Sequence, residues 1–299
     1  MFLKVKQIGE QRLKHHAPFC QQRRRDRAFT QPARRDRFMY DDFHRGGTAA
    51  IAMQVIPVID IMGGVAVHAR RGERSAYRPI RSVLLQGADP VALLRAYRET
   101  LECDVVYIAD LDAIMGRGDN LATISKMAAS ESRLELLVDA GIHDIVQAKR
   151  LLDAGTQRVI IASESLTSLN TASGLLTALG TERTLFSLDL TTQDVTWREP
   201  STESKDASAT ACRLLSLGFR EMILLRMDRI GAGAGADTEL LGGVARAAPG
   251  MRIIVGGGIA SVAELILLQR AGASGVLLAT ALHSGSITRE DLIRTKAEA

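Results

Sequence analysis

The chain is poor in residues that staple or anchor a fold. Among its 299 residues are three cysteines, Cys20, Cys103 and Cys212. Their wide spacing suits neither a disulfide framework nor a paired metal site, so a reducing cytoplasm is the expected location. No apolar run reaches the roughly 18 to 20 residues that cross a bilayer, and the first residues lack the charged-then-apolar pattern of a secretory signal. A membrane partner is therefore not expected. His143 and His283 have no partners at ligand spacing, so no metal site is expected. What remains is the usual balance of a globular protein, 46% hydrophobic and 24% charged.

The net charge of +4 conceals an uneven distribution. Residues 1–52 hold twelve Lys or Arg against five Asp or Glu, whereas 53–299 hold 26 against 29. Runs such as Arg23-Arg24-Arg25 are of the kind a nucleic-acid arm uses. Five of the seven phenylalanines also lie in this segment, yet they follow neither a helical nor a strand period. We read 1–52 as a basic extension, poorly ordered or not native, with Met53 a candidate start, and 53–299 as one domain. Nucleic acid is not an expected partner.

From Gln54 onward, short apolar runs alternate with segments of helical character. The runs are Val55–Ile61, Val105–Leu111, Leu134–Asp139, Val159–Ala162, Leu185–Leu190, Met222–Met227, Ile253–Val255 and Val276–Ala279. Such Val-, Ile- and Leu-rich runs suit parallel strands covered on both faces. Pro90–Thr100, Ile145–Asp153, Ala207–Leu217 and Val262–Ala271 read as helices between them. The chain also repeats itself. Asp104–Asp112, Leu137–Ile142 and Val159–Ala162 recur 117 positions later, at Glu221–Arg229, Ile254–Ile259 and Val276–Ala279. Pro57–Asp60 matches Phe186–Asp189 at an offset of 129, which places twelve extra residues between the first two strands. Four strand pairs in order predict an α/β fold, a (β/α)8 barrel built from two similar half-barrels, rather than an open doubly wound sheet.

In such barrels the strand C-termini and the loops after them carry function. Asp60 and Asp189 end strands one and five, facing one another across the mouth as candidate acid and base. Val255-Gly-Gly-Gly-Ile259 precedes a helix and reads as an anion cradle. Gly257 and Gly258, with Ala279 and Thr280 after strand eight, are the candidate phosphate-binding residues. The matching first-half residues are Gly141 and Ser163, but there Asp139 and Glu164 bring negative charge, so that second phosphate site is doubtful. Asp228 after strand six is a further candidate for substrate binding. The long first loop carries His68, Arg70, Arg71, Arg74, Arg78 and Arg81; Arg74, Tyr77 and Arg78 are lid candidates, beside the plainer reading of a solvated basic surface. Gly231-Ala-Gly-Ala-Gly235 is either a second lid or an ordinary turn.

Taken together, Ile56-Pro-Val-Ile-Asp60, Gly64 with Gly72, Ala109-Asp-Leu-Asp112 with Gly116, Met227-Asp-Arg229 and the Gly-Gly-Gly-Ile259 turn resemble the two-half barrels of histidine biosynthesis over about 54–290. These are ProFAR isomerase and the cyclase subunit of imidazole-glycerol-phosphate synthase. The resemblance implies an Amadori rearrangement of a phosphorylated aminoaldose, with Asp60 as base and Asp189 as acid and with no cofactor. The segment Arg74–Pro79 resembles a divergent, histidine-pathway-related group of methane- and methanol-using microbes, which implies a place in a one-carbon cofactor pathway. The chain departs from the family pattern at Asp139-Ala-Gly141, at Leu225, at Asp228-Arg-Ile-Gly-Ala232 and at Ala279-Thr280. These changes point to an isomerase or lyase acting on a related phosphorylated aminosugar-type molecule other than the usual substrate. A non-catalytic phosphate-binding or assembly subunit and an ordinary histidine-pathway isomerase stay open as alternatives.

Overall fold

A computed structural model describes residues 53–297. The basic segment 1–52 and the reading made of it lie outside the described residues. Eight strands alternate with helices: β1 Gln54–Met62, β2 Val105–Asp110, β3 Glu135–Asp139, β4 Arg158–Ala162, β5 Thr184–Thr191, β6 Glu221–Arg226, β7 Arg252–Gly256 and β8 Gly275–Leu278. Each pairs in parallel with the next, and β8 pairs with β1 from Gln54↔Gly275 to Pro57↔Leu278. The sheet thus closes on itself as the (β/α)8 barrel that the repeat predicts. Among the described residues, no helix is long and apolar enough to cross a membrane.

Alternation along each strand divides the apolar residues between two cores. Outward residues such as Ile59, Val106, Ile108, Leu136, Val138, Ile161, Phe186, Met222 and Leu224 pack under the helices. Inward residues such as Ile56, Tyr107, Leu137, Ile160, Leu185, Ile223, Ile254 and Leu277 fill the barrel. The helices begin where caps allow. Asp89 accepts from the N–H groups of Val91 and Ala92 at 2.8 and 3.0 Å, and Pro90, which has no N–H to leave unpaired, opens Pro90–Leu101. That helix turns Leu93, Leu94 and Tyr97 inward and stops at Glu102, which adopts φ +53°.

The inward set corrects one part of the repeat. Ile56 and Leu185, Leu137 and Ile254, and Ile160 and Leu277 all face the barrel at the expected offsets. For strands two and six, an offset of 117 would match inward Tyr107 with outward Leu224. The strands themselves, Val105–Asp110 and Glu221–Arg226, are related by 116. A one-residue slip exchanges the faces of a strand, so burial fixes the true register more sharply than sequence likeness does.

Charged residues close the floor. Arg158 Nη1 lies 2.6 Å from Glu221 and 3.7 Å from Glu135, and Arg252 Nη2 lies 3.5 Å from Glu221. Glu221 is shared by both arginines, and each side chain enters from the N-terminal end of an inward position. Replacing Glu221 with Gln leaves two clustered cations without their common partner, and we expect a loss of about 3 kcal/mol in urea unfolding. Arg150→Ala, which removes only the exposed pair with Asp119, should stay within about 1 kcal/mol.

Candidate active site

Asp60 reaches the mouth because the inward positions of β1 run Ile56, Val58, Asp60. Its half-buried carboxyl borders a cavity of about 140 Å³, together with His68, Tyr107, Leu225, the Gly257–Gly258 turn and Thr280. Burial raises its pKa to about 7. Asp189 occupies the matching place on β5 but lies deeper, at 2% exposure, and does not border this cavity, so the expected pair does not share it. Ser187 Oγ donates to its Oδ1 at 2.7 Å and the Glu164 N–H donates to Oδ2 at 3.3 Å, while the Asp189 N–H donates to Ser163 Oγ at 2.9 Å. Burial, then the charges of Glu164 and Asp139, hold the Asp189 carboxyl well above the ordinary carboxylate range. Tyr107 stands between the two sides; its hydroxyl donates to Asp139 at 3.4 Å, and burial followed by the charges of Asp139, Asp189 and Asp60 keeps it protonated.

The two halves treat their anion turns differently. In the second half, Gly257 at φ +99° lies so close to β6 that a Cβ would sit 2.3 Å from the Arg226 carbonyl oxygen, while at Gly258, with φ +83°, it would lie 3.0 Å from Arg229 Cβ. Only glycine fits both conformation and space. Gly257, Gly258, Ala279 and Thr280 all border the cavity. The following helix is less open to an anion, because Glu264 Oε2 already accepts from the N–H groups of Ala260 and Ser261 at 2.7 and 3.2 Å. In the first half, Asp139 Oδ1 takes the Gly141 N–H at 3.0 Å, and Ser163 is fully buried against Asp189. The N–H an anion would use there already has a carboxylate partner.

The twelve-residue surplus forms a fixed hairpin. Val65–His68 pairs antiparallel with β1, Asp60 facing Val67, and Arg78–Pro79 pairs back onto it. Arg74 Nη2 donates to both oxygens of Glu164, at 2.7 and 2.9 Å, and so covers the Asp189 side. Tyr77 is buried beneath, its hydroxyl pushed up to about 12 by burial and then by Asp60. Arg78 turns back to the carbonyls of Ser75 and Tyr77. Gly231 meets the hairpin so closely that a Cβ would lie 2.6 Å from the Ala69 oxygen, which makes that glycine a packing position.

Two motifs with chemical residues hold loops together. Asn120 Nδ2 donates to Asp110 and Asp112 at 2.7 and 2.8 Å, and Asp112 and Asn120 Oδ1 in turn accept from the N–H groups of Gly63 and Gly64. Asp228 accepts two hydrogen bonds from Arg226, at 3.0 and 2.9 Å, and that contact lowers its pKa. Arg226 and Arg229 also pair with Asp237. Asp228 therefore serves its own loop and does not border the cavity.

Sequence reasoning missed a histidine pair. His68 and His283 both border the cavity, their rings edge-to-face with centroids 5.6 Å apart. His68 Nε2 lies 3.2 Å from Thr280 Oγ1. The tautomer of His283 follows from its neighbours. Tyr97 gives its one hydroxyl proton to the Val58 carbonyl at 2.9 Å, so His283 Nε2–H must donate to the Tyr97 oxygen at 3.2 Å. His283 Nδ1 then accepts from Ser82 at 3.0 Å. Burial, then the neighbouring His68, lowers His283 to about 4, so the ring is neutral.

Asp139 offers a test of the buried charge. Its carboxyl is 4% exposed and is raised from 3.8 to about 7, chiefly by burial and then by Glu164. The unfolded chain gives up this proton first, so folding loses stability as pH rises from about 4 to about 7. Asp139→Asn removes that loss. We expect the variant to match the parent near pH 4 and to exceed it by roughly 1–3 kcal/mol at pH 8, read from urea unfolding at both pH values.

Comparison with known proteins accords with this architecture. The sequence pattern of the family described as "Histidine biosynthesis protein" matches residues 54–288. An uncharacterized protein of Methanocaldococcus jannaschii is 30% identical over 244 residues, covering 81% of this chain and 98% of the relative. The 1-(5-phosphoribosyl)-5-((5-phosphoribosylamino)methylideneamino) imidazole-4-carboxamide isomerase (ProFAR isomerase) of Deinococcus radiodurans is 31% identical over 237 residues, 78% of this chain and 95% of the relative. An enzyme of the same name from Thermus thermophilus is 30% identical over 242 residues, 79% and 96%. With its two-half barrel and this coverage, the chain belongs to the histidine biosynthesis protein family.

Proposed function

We propose that this protein is an isomerase that converts a singly phosphorylated aminoaldose to its aminoketose by aspartate acid–base chemistry. Its substrate differs from the compound with two phosphoribosyl groups named for the related isomerases. The asymmetry of the two anion turns carries this reading. Gly257 and Gly258 border the cavity that holds Asp60, whereas in the matching first-half turn the Asp139 carboxylate takes the Gly141 N–H. A phosphate is favoured on one side and repelled on the other. The likeness of Arg74–Pro79 to the divergent group supports a role in one-carbon cofactor metabolism rather than in histidine synthesis itself.

The chemistry follows from the two proton affinities. In this reading Asp189, which is 2% exposed and does not border the cavity, gives its proton to the ring oxygen of a substrate that reaches it, as the bond from C1 to that oxygen breaks and the nitrogen lone pair forms a protonated C1=N imine. Asp60, poised near neutrality, takes the proton from C2; that electron pair becomes the C1=C2 bond, and the C=N pair returns to nitrogen. Because Asp60 must be ionised, turnover should rise with pH through about 7.

The test uses the N-ribosylamine 5-phosphates formed with ammonia, aniline and aminoimidazole carboxamide, together with the doubly phosphorylated compound of the relatives, and follows ketose formation by NMR. We expect turnover on a singly phosphorylated member, and a loss of about 10²-fold or more in Asp60→Asn. Full turnover in Asp60→Asn overturns the reading. Binding of inorganic phosphate with no turnover on any member would overturn it in favour of a binding subunit.

A further inference from the structure

We propose that His68 is a third acid–base residue of this site, the one that takes the proton from the substrate's C2 hydroxyl as the ketone forms. This rests on the rearrangement just described, which leaves a step without a partner. After Asp60 has removed the C2 proton, the enaminol still carries its hydroxyl proton. That O–H bond must break, its electron pair must form the C2=O bond, and the C1=C2 pair must collect a proton at C1. Asp60 can return to C1 the proton it took from C2. Asp189, ionised once it has given its proton to the ring oxygen, does not border the cavity, so the hydroxyl proton goes to a group that does, and no oxidant or reductant is involved.

The cavity limits the choice. Besides Asp60, the titratable side chains bordering it are His68, Tyr107 and His283. Tyr107 is a protonated phenol that already donates to Asp139, so it accepts no proton at neutral pH. His283 has both ring nitrogens engaged, Nδ1 by Ser82 and Nε2 by Tyr97, and it is 4% exposed. His68 is different. Its Nε2 meets Thr280 and, among the described residues, its Nδ1 has no hydrogen-bond partner. It enters on the hairpin that pairs with β1, where Val67, the residue before it, faces Asp60. Thr280 ties its ring to the end of β8, beside the anion turn that would orient the sugar.

The charged and titratable groups around His68 are Asp60 on β1, Arg70 on its own hairpin, Tyr107 on β2 and His283 after β8. Burial first and Arg70 second lower its pKa from 6.5, so the ring is neutral and able to accept a proton at neutral pH. Its opening to the cavity lets it pass that proton to water before the next turnover.

The experiment compares His68→Asn and His68→Gln with the parent enzyme, using the N-ribosylamine 5-phosphate that turns over best. It measures ketose formation against pH and, in deuterium oxide, exchange of the C2 hydrogen in recovered substrate. We expect kcat to fall about 10²-fold with KM changed by less than about threefold. Exchange at C2 should persist, because Asp60 acts before His68. On the acid side, log kcat should lose one of two proton dependences. Retention of kcat within about threefold in both variants overturns the proposal while leaving the isomerase reading intact. Equal loss of exchange and ketose formation also overturns it, since that marks a general disturbance of the site. Persistence of turnover in Asp60→Asn instead removes the isomerase reading itself.

Discussion

The mouth of this barrel holds more acid than cation, and most of its other features follow from that imbalance. Closing eight strands turns every second residue inward, and toward the C-terminal ends of β1, β3 and β5 the inward positions include Asp60, Asp139 and Asp189. Glu164 adds a fourth carboxyl beside them, and Arg74 is the cation the first loop supplies to that side. Buried carboxyls in such company hold protons they would lose in water. Tyr107, Ser187 and Ser163 are then useful as neutral hydrogen-bonding neighbours, which a buried acid tolerates where a further charge would add repulsion. Burial raises Asp60 to about 7 and holds Asp189 well above the ordinary carboxylate range.

Much of the fold was legible because period and burial coincide. The eight apolar runs became the eight strands, and the helices Ile145–Asp153 and Ala207–Leu217 have the bounds that composition and capping suggest. The strand floor was less legible. Glu135, Arg158, Glu221 and Arg252 are charged residues at strand starts, which local pattern cannot distinguish from solvated ends; only closure turns them toward one another. The same limit explains the misplaced offset for strands two and six. Sequence likeness aligned similar letters, whereas the barrel aligns faces.

The site was legible in part. Asp60, Gly257, Gly258, Ala279 and Thr280 meet at one cavity, as their places at strand ends suggested. The histidine pair was not, because its contacts span the whole chain: His68 and Thr280 are 212 residues apart, and His283 joins Ser82 across 201. Such meetings depend on β8 closing against β1. Asp228, a candidate from the sequence, lies outside this cavity. Like the carboxylates of Asp110 and Asp112, it satisfies loop groups, here N–H donors and arginines that would otherwise stay unpaired in the turns.

The divergence of the two halves bears directly on how a substrate can lie. A barrel with equal anion turns at both ends of its mouth could accept a two-ended anion in either direction. Here Gly256 of the second half is matched by Asp139 of the first, so one turn offers backbone and the other offers a carboxylate. Reversing the ligand would bring its phosphate to the side of Asp139 and Glu164, where carboxylate charge in a poorly solvated space repels an anion. The cost need only be a few kcal/mol to fix one orientation nearly completely. In the proposed isomerisation, the carboxylates that destabilise the folded mouth would also set direction, bringing the carbon beside the imine toward Asp60. Removing the imbalance would give a more stable barrel with a less selective mouth.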